Sequence, residues 1–513
     1  MKRRDFIFGG GSALLSGALF ANTPTIFKSE FAAAVAKNPH LTPYRGMTSD
    51  LACETLSIEG TLPAALRGRF YRNGPSNFER GNERYQHWFD GDGMVQQFTF
   101  DGGKVSHRGR LVSTAKFKSE SEAGRFLVPA FGTGIKSQKR ITGPDAMNTA
   151  NTNVIEHGGR VLALWEGGSA HAIDVRTLDT LGPVAWQEGW EQMPFSAHPK
   201  LDPQGNLWNF GNAGDTLFVY QIDANGKLVK TQTAKLSIDR TKAGGMSHDM
   251  AITERYVVVP IPPVTIHFDL MAHGKTGAEV MRAHRSEPLR IWVAPKDDVA
   301  KGRLFELPHE MVFHVGNAFE RTGPSGIEIV LNYVGDLGGG GGGGEGNFLS
   351  GTAVAVMRGA EATATAARMR TATLNLSTGR ANTTSFDDVS EEFPRLDPRF
   401  IGGDARFVVT PASWRSCFKR NGFHGLQVRD VKNGKTSRFD YGDDFTVEEH
   451  VVVARPGSTK ELDGWILGTA FDAKTQRTCV TVFEAANISN GPMARAWLPY
   501  WLPLGFHGSF TAA

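Results

Sequence analysis

Four histidines stand in four short segments with chemically distinctive neighbours. They are His198 in SAHPKLDPQG, His248 in GGMSHDMAIT, His314 in FHVGNAFE and His507 in LPLGFHGSF. Neutral imidazole nitrogens are good ligands for iron, copper, zinc and nickel, so these residues favour a metal held by imidazole alone. Such a centre leaves the divalent charge uncompensated, which favours binding of O2 or another polarisable ligand at a vacant position.

The spacing of these histidines indicates which elements must position them. They lie about 50, 66 and 193 residues apart, so no single helix or loop holds the site. A closed fold has to bring four strand ends together, and a β-propeller does so at its axis. Any one histidine among the fifteen in the chain is more often a packed or surface residue than a ligand. The local sequences therefore carry the prediction more than the spacing does.

The remainder of the chain is typical of an all-β protein. Short runs rich in Val, Ile, Phe and Thr alternate with clusters of Gly, Asp, Asn and Pro, as in RVLALWEGG and RYVVVPIPPVTIHFDL. The pairs Asp101-Gly102 and Asn225-Gly226 indicate tight hairpin turns. A length of 513 residues suits one large propeller. No repeat period is visible, so the pattern itself does not give the number of blades.

A series of motifs in a fixed order resembles the carotenoid cleavage oxygenase family. The motifs EGTLPAALRGRFYRNGPSNF, HWFDGDGMVQQFTFDGGKVSHRGRLV, NTANTNV and LALWEGGSAHAIDVRTLDTLG precede the histidine segments, and ARAWLPYWLPLGFHGSF closes the chain. The resemblance covers nearly all residues after 45. It implies a seven-bladed β-propeller over residues 37–513 with a loop and helix cap over the metal axis. It also implies a non-haem Fe(2+) cofactor bound by His198, His248, His314 and His507.

The resemblance further implies groups around the metal ligands. The family pairs three of its histidines with glutamates, which orient the imidazoles, and these correspond to Glu166, Glu392 and Glu449. The acidic neighbours Glu391 and Glu448 leave the register open by one residue, although strand alternation permits only one of each pair to face inward. Thr152 in NTANTNV corresponds to a hydroxyl-bearing residue beside the open iron position.

Two histidines compete with the chosen ligands. The tetrapeptide GFHG occurs twice, so His424 is an alternative to His507. We choose His507 because the preceding RAWLPYWLPLG matches the end of the family. His309 precedes His314 by five residues, and alternation along one strand would place the two on opposite faces. HVGNAFE is the better match to the family, so His314 is preferred.

The implied function is cleavage of a conjugated carbon–carbon double bond of a carotenoid or apocarotenoid with O2, giving two carbonyl products. Two alternatives are a dioxygenase of the lignostilbene type and a non-catalytic propeller that only binds a ligand. Stilbene-cleaving members hold the phenol oxygen with a tyrosine and a lysine. This chain has His107 where that tyrosine is expected, with Lys136 or Lys139 left for the lysine, which favours the carotenoid class.

An apolar substrate implies apolar surroundings. Large side chains near the end of the chain are candidates to line or support a substrate tunnel, namely Trp497, Tyr500, Trp501 and Phe506. The apolar stretch 126–131 predicts a possible peripheral contact with a membrane surface.

A net charge of +3 gives no indication of nucleic acid as a partner. Three cysteines without a Cys-x-x-Cys arrangement predict no disulfide framework.

The first residues are typical of a targeting segment. MKRRDFIFGGGSALLSGALFA combines Arg3-Arg4 with a glycine-rich apolar stretch, the pattern of a twin-arginine export signal. The apolar run of about 16 residues is shorter than the roughly 20 that a membrane span needs. Residues 1–36 are therefore predicted to be removed after Ala36, with Ala21 as a second candidate cleavage site, and the protein is predicted to be periplasmic.

Overall fold

The computed structural model describes residues 24–135, 139–267, 270, 275–336, 351–360, 367–387, 389–414 and 422–513. Within them, antiparallel strands form seven sheets of four or five strands and two additional two-stranded sheets. End strands of several neighbouring large sheets contact each other, as His507–Ala512 does with Asn153–His157 and with Phe445–Ala454. The predicted all-β fold and seven-bladed propeller are therefore confirmed, whereas the cap over the axis stays a prediction.

Blades 1 and 7 join the two ends of the described chain and close the ring. From the outer edge to the axis, blade 1 consists of Leu51–Cys53, Lys104–Leu111, Asp92–Asp101, Gly68–Asn77 and His507–Ala512. Blade 7 consists, in the same direction, of Ser57–Gly60, Ala494–Trp497, Arg477–Glu484, Gly464–Asp472 and Phe445–Ala454. Asn73 pairs with His507 and Gly60 with Ala494, so each of these blades combines strands from both ends of the chain.

Blades 2 to 6 follow one another along the chain, each as a four-stranded meander that begins at the axis. Blade 2 has Asn153–His157, Arg160–Leu164, His171–Ile173 and Thr180–Pro183; blade 3 has Lys200–Leu201, Leu207–Ala213, Thr216–Ile222 and Leu228–Lys235; blade 4 has Ala251–Ile252, Tyr256–Ile261, Leu289–Pro295 and Arg303–Leu307; blade 5 has Met311–Gly323, Gly326–Asp336, Arg368–Asn375 and Ala381–Ser385; blade 6 has Ser390–Glu391, Phe407–Ser413, Gly425–Asp430 and Thr436–Asp440.

The remaining elements are short. The two small sheets pair Glu79–Arg80 with Glu83–Arg84 and Val264–Ile266 with Met281–Ala283. The α-helices are α1 (Pro24–Val35), α2 (Ala115–Ala123), α3 (Gly277–Val280) and α4 (Gly351–Met357). The 3-10 helices are Pro39–Arg45, Trp88–Asp90, Pro144–Ala146, Val299–Lys301, Pro398–Phe400 and Ala485–Asn490. None of the described helices is long and apolar enough to cross a membrane.

The sequence patterns explain how the blades form. Asp101 pairs with Lys104 across a two-residue turn in which Gly102 and Gly103 have φ of +56° and +82°, as the Asp-Gly signal predicts. Large apolar side chains fill the space between blades, as Phe70, Phe98 and Trp465 do between blades 1 and 7. Removal of this apolar surface from water is the main favourable contribution to blade packing.

Helix α1 lies within the segment predicted to be an export signal, and it packs on the propeller. Phe31 is buried, and the guanidinium of Arg84 lies 3.6 Å from the centre of its ring. Lys28 forms an ion pair with Glu79 at 3.2 Å. The Arg3-Arg4 motif and Ala21 lie outside the described residues. Of the cysteines, Cys53 and Cys479 are free thiols, and Cys417 also lies outside the described part of the chain.

Candidate metal centre

The four predicted histidines converge at the axis. One ring nitrogen from each of His198, His248, His314 and His507 lies within 4.8 Å of the others. His198 and His248 stand just before the axis strands of blades 3 and 4, His314 lies within that of blade 5, and His507 begins that of blade 1. The fold therefore supplies one imidazole from each of four different blades.

The distances between the rings suit a common ion. The Nε2 atoms of His198 and His248 are 3.0 Å apart, and those of His314 and His507 are 3.1 Å apart. Two imidazole nitrogens bound at about 2.1 Å and at right angles would lie about 3 Å apart. All four residues are nearly inaccessible to water, with exposed fractions between 3% and 9%. The four histidines can hold a metal ion.

Three of the imidazoles have a glutamate at the opposite nitrogen. His248 Nδ1 lies 2.5 Å from Glu166 Oε2, and His314 Nδ1 lies 2.5 Å from Glu392 Oε2. His507 Nδ1 lies 2.8 Å from Glu449 Oε1. An Nδ1–H that donates to a carboxylate leaves the Nε2 lone pair for a metal and makes the imidazole a better ligand. These are the three glutamates that the family resemblance implies.

The acidic pairs differ from the expectation of simple alternation. The strand Phe445–Ala454 has a register shift between Val447 and His450, and in this bulge both Glu448 and Glu449 are buried. Glu448 accepts a hydrogen bond from Arg72 Nη2 at 3.1 Å. Only Glu449 of this pair reaches a histidine, and the bulge buries both carboxylates.

The second acidic pair lies at the end of a strand of blade 6. Glu391 is fully buried and accepts from Arg429 Nη2 and Thr410 Oγ1, both at 2.8 Å. Glu392, the next residue, bonds to His314 instead. The register at both pairs thus places the second glutamate of each pair at a histidine.

Glu449 has partners that the sequence did not predict. Arg395 donates to it from Nε at 2.8 Å and from Nη2 at 3.1 Å, and Arg72 Nη1 lies 3.5 Å away. Burial alone would raise the pKa of this carboxyl, but Arg395, His507 and Arg72 hold the pKa well below its usual range. Glu449 is therefore ionised and fixed from both sides.

The electrostatics of the imidazoles differ from ring to ring. Burial, with the neighbouring imidazoles, lowers the pKa of His198 well below its usual range, and burial lowers the pKa of His507 to about 3. Burial also acts to lower the pKa of His248, but the adjacent Glu166 outweighs it and the pKa is raised. His198 and His507 are thus neutral at pH 7, which is the form that binds a metal.

The two competing histidines lie elsewhere. His424 is fully buried in blade 6, with its ring centre 4.9 Å from that of Trp414. The Nδ1 of His309 lies 3.0 Å from the backbone oxygen of Glu287. Neither belongs to the group of four ring nitrogens found among the described residues.

Thr152 stands immediately before the axis strand of blade 2. Its hydroxyl donates to Asn151 Oδ1 at 3.2 Å, and its backbone N–H donates to Leu164. The next residue, Asn153, donates from Nδ2 to the backbone oxygen of Ala197 at 2.7 Å, which ties this turn to the segment that carries His198. The role of Thr152 beside an open metal position stays a prediction.

Aromatic side chains surround the histidines. The ring of Phe313 lies 5.4 Å from that of His248, and the ring of Phe393 lies 5.0 Å from His314 and 5.2 Å from His507. Phe506, next to His507, packs on Trp88 at 4.7 Å and on Phe89 at 5.3 Å. The imidazoles therefore lie against an apolar aromatic wall.

This wall continues into a methionine-rich cluster. Phe313 packs with Phe131 and with three buried methionines, Met246, Met281 and Met311. Methionine side chains are flexible and polarisable, so such a surface can adapt to apolar molecules of different shape. Of the aromatic residues predicted near the end of the chain, Phe506 joins this environment. Trp497 instead donates to Glu59 on the outer edge of blade 7.

The side chain of His107 is held by hydrogen bonds at both ring nitrogens. Its Nδ1 lies 2.8 Å from Tyr500 Oη and its Nε2 lies 2.8 Å from Gln96 Oε1. Both ring nitrogens are thus used by hydrogen bonds in the interior of the propeller. Lys136 lies outside the described residues. The preference for a carotenoid substrate that was drawn from His107 stays a prediction.

The apolar stretch 126–131 is largely buried. Phe126, Val128 and Ala130 are each 5% exposed or less. Glu120 Oε1 accepts hydrogen bonds from the backbone N–H groups of Leu127 and Val128. These buried residues alternate with the partly buried Leu127, Pro129 and Phe131, so the stretch does not offer a continuous apolar surface to a membrane.

A seven-bladed propeller with four converging imidazoles at its axis defines a class of propeller that can hold a metal ion there. The family described as Retinal pigment epithelial membrane protein (RPE65) matches residues 45–512, and the chain belongs to this family. Apocarotenoid-15,15'-oxygenase of Synechocystis sp. is 29% identical over 476 residues, which cover 88% of this chain and 92% of the relative. Lignostilbene-alpha,beta-dioxygenase isozyme III of Sphingomonas paucimobilis is 28% identical, over 89% of this chain and 94% of the relative.

A solved structure shows the same architecture. The cobalt-substituted ACO of Synechocystis superimposes with a TM-score of 0.81 at 26% identity, over 93% of this chain and 98% of that chain. The predicted relationship to carotenoid and lignostilbene oxygenases is therefore confirmed, and so is the prediction that the chain is an oxygenase.

Proposed function

We propose that this protein is a non-haem Fe(2+) dioxygenase that cleaves a conjugated carbon–carbon double bond of a carotenoid or apocarotenoid with O2, giving two carbonyl products. The observation that carries the proposal is the convergence of four buried imidazoles beside an aromatic wall. The relatives named as an apocarotenoid oxygenase and a lignostilbene dioxygenase support cleavage of such a bond.

Iron is the metal we propose because an all-imidazole donor set with open positions suits a ferrous ion that reacts with O2. His198, His248, His314 and His507 would hold it, and when bound it would supply the activation of O2. The related cobalt-substituted structure supports a site for a divalent transition metal on this fold. Glu166, Glu392 and Glu449 would fix the rings, since each lies within hydrogen-bond distance of an Nδ1.

The protein's own contribution to the reaction is placement and exclusion of water. Phe313, Phe393 and Phe506 present apolar surface next to the imidazoles, which favours an extended conjugated chain over a hydrated polar substrate. Holding one double bond at a fixed position accounts for several kcal/mol of the barrier in oriented reactions, on the order of 7 or more in the best cases. Thr152 is proposed to limit the space beside the metal.

A second candidate is a dioxygenase of the lignostilbene type. The identity to the Sphingomonas relative is 28%, against 29% for the apocarotenoid oxygenase, so similarity alone does not separate the two substrates. The aromatic and methionine-rich surroundings favour the carotenoid class. A propeller that only binds a ligand is disfavoured, since it has no need for four buried imidazoles with ordered carboxylate partners.

The test is metal analysis of anaerobically purified protein together with O2 uptake on a carotenoid, an apocarotenal and a stilbene. We expect nearly one iron per chain and uptake with the carotenoid class. His248→Ala should lose both, whereas His309→Ala, a histidine outside the group of four, should keep both. Wild-type protein that cannot be loaded with iron and consumes no O2 would overturn the proposal. Uptake with the stilbene alone would select the second candidate.

Export to the periplasm by the twin-arginine route is also proposed, on the Arg3-Arg4 motif. Cleavage after Ala36 would remove α1, whose Phe31 is buried against Arg84. We therefore favour cleavage after Ala21, which leaves α1 on the propeller.

The absence of nucleic acid among the partners stays a prediction. A peripheral membrane contact also stays a prediction, now without support from the stretch 126–131.

A further inference from the structure

Asp249, the residue after His248, is a buried carboxylate whose oxygens reach three of the four histidine segments. It is 3% exposed. Its Oδ1 accepts from Lys200 Nζ at 2.8 Å and from the backbone N–H of Met250 at 2.6 Å. Its Oδ2 accepts from the backbone N–H of Val315 at 2.8 Å. Both carboxylate oxygens are thus engaged.

The donors belong to the segments that carry the candidate ligands. Lys200 follows His198 by two residues in blade 3, and Val315 directly follows His314 in blade 5. Asp249 itself adjoins His248 at blade 4. One carboxylate therefore bridges three consecutive blades at the axis. The fourth segment is held in a similar way by Glu449, which accepts from the backbone N–H of Gly508 at 2.7 Å.

The contact with Val315 has a local cause. The strand Met311–Gly323 shifts register between Val312 and Val315 and again between Val315 and Asn317. Such irregularities interrupt the regular ladder, and a buried backbone N–H then needs another acceptor. Asp249 supplies that acceptor beside His314. Its ion pair with Lys200 offsets the cost of burying the carboxylate.

Asp249 is also the acidic group near the one imidazole that has no glutamate partner. Its Oδ2 lies 3.9 Å from His198 Nδ1. This distance is too long for a direct hydrogen bond. The negative charge nevertheless favours the tautomer with hydrogen on Nδ1, which leaves the Nε2 of His198, at 3.0 Å from that of His248, free for a metal.

We propose that Asp249 is a positioning residue for the metal centre: it fixes the relative placement of His198, His248 and His314, and Lys200 acts with it. This inference rests on the proposed metal site, but it does not depend on iron as the metal or on a carotenoid as the substrate. Without the carboxylate, the three segments lose a shared anchor. The imidazoles are then no longer held in one geometry.

Cobalt(II) binding provides a readout that does not depend on activity. Groups that orient metal ligands typically contribute 10–100-fold to metal affinity, so we expect Asp249→Asn to weaken cobalt binding about 10–100-fold. The visible absorption of the bound cobalt should also change, since it reports the ligand geometry. Lys200→Met, which leaves the carboxylate without its cation, should shift affinity and spectrum in the same direction.

The matched control is Asp397→Asn. Asp397 is fully buried and accepts from Arg399 Nε at 2.9 Å and from the backbone N–H of Leu462 at 3.2 Å, but it contacts no histidine segment. The Asp397→Asn substitution should lower the melting temperature of the apoprotein without changing the cobalt affinity or spectrum. If Asp249→Asn behaves in the same way as this control, Asp249 is only structural and the inference is overturned.

Failure of the metal site itself gives a different result. Wild-type protein that binds neither cobalt nor iron contradicts the proposed function and this inference together. Wild-type protein that binds cobalt tightly, with Asp249→Asn and Lys200→Met both equal to it in affinity and spectrum, contradicts only the role of Asp249. Because Lys200 is partly exposed at the axis, its variant keeps the inference testable if Asp249→Asn does not fold.

Discussion

The carboxylate of Glu449 accepts a hydrogen bond from His507 Nδ1 at 2.8 Å while two arginines face it from the other side. Glu166 makes the equivalent contact to His248, but its side chain is 40% exposed and no arginine pairs with it among the described residues. The two glutamates orient imidazoles in the same way, but only the charge of Glu449 also balances that of neighbouring arginines.

Glu449→Gln is therefore expected to be much more harmful to folding than Glu166→Gln. It leaves Arg395 without its carboxylate partner and Arg72 with Glu448 alone, and breaking a buried ion pair typically costs about 3–5 kcal/mol. Glu166→Gln should cost less than this, because the Glu166 side chain is 40% exposed and its charge is screened by water. Urea unfolding of the two apoproteins measures the difference. Equal losses would contradict the asymmetry of the two pairs.

Phe393 is expected to contribute to substrate binding without holding the metal. Its ring lies against His314 and His507, and its φ of +51° makes this backbone position unusual for a phenylalanine. Phe393→Ala should raise KM for an apolar substrate about tenfold or more, from the loss of about 1.5–3 kcal/mol of apolar contact. Metal content should stay at the wild-type level.

The control for this variant is Phe510→Leu, a partly buried residue between blades 1 and 7. It should leave KM unchanged. A Phe393→Ala enzyme with reduced iron content, whose remaining loaded fraction keeps the wild-type KM, would show that the ring supports the histidines and does not contact the substrate.

Asp90 is expected to make stability depend on pH. Burial raises its pKa to about 7, although Thr133 and Gly132 donate hydrogen bonds to its carboxylate. In the unfolded chain its pKa is near 3.9. Between about pH 4 and pH 7, the carboxyl of Asp90 is therefore protonated in the folded protein and ionised in the unfolded chain. The resulting stability is complete below pH 4 and is lost as the pH rises through 7.

Asp90→Asn removes this titration, so its stability should fall less between pH 5 and pH 8 than that of the wild type. For one proton the difference in slope approaches about 1.4 kcal/mol per pH unit between about pH 4 and pH 7. Urea unfolding of both proteins at several pH values measures it. Parallel curves for the two proteins would show that Asp90 is ionised throughout.

Helix α1 is expected to remain on the exported protein. Mass spectrometry of the periplasmic protein should give a chain that begins at residue 22, which corresponds to cleavage after Ala21. Phe31→Ala should then lower its stability by about 3–5 kcal/mol, as truncation of a buried phenylalanine does. A mature chain that begins at residue 37, and therefore lacks Phe31 and the rest of α1, would show that α1 belongs to the signal.

The sequence predicted the parts of the site that short motifs carry. His198, His248, His314 and His507 each stand in a distinctive local segment, and each lies where that segment meets the axis. The all-β class followed from strand and turn patterns. The number of blades required the family resemblance, because the meanders share no repeat that is visible in the sequence.

The parts that were missed depend on contacts between distant residues or on irregular backbone. Arg395 and Arg72 meet Glu449 from positions 54 and 377 residues away. The bulge between Val447 and His450 buries both glutamates, which a two-residue period does not predict. Asp249 alone had a local signal, since it is a carboxylate directly next to a candidate ligand.

The most direct test of the proposed reaction is the fate of both oxygen atoms. The iron-loaded protein is incubated briefly with an apocarotenal under 18O2, and the products are trapped at once and analysed by mass spectrometry. The proposed dioxygenase reaction predicts two carbonyl fragments that each carry one labelled oxygen atom. Cleavage with label in only one fragment, or intact substrate with iron bound to the four histidines, would contradict it.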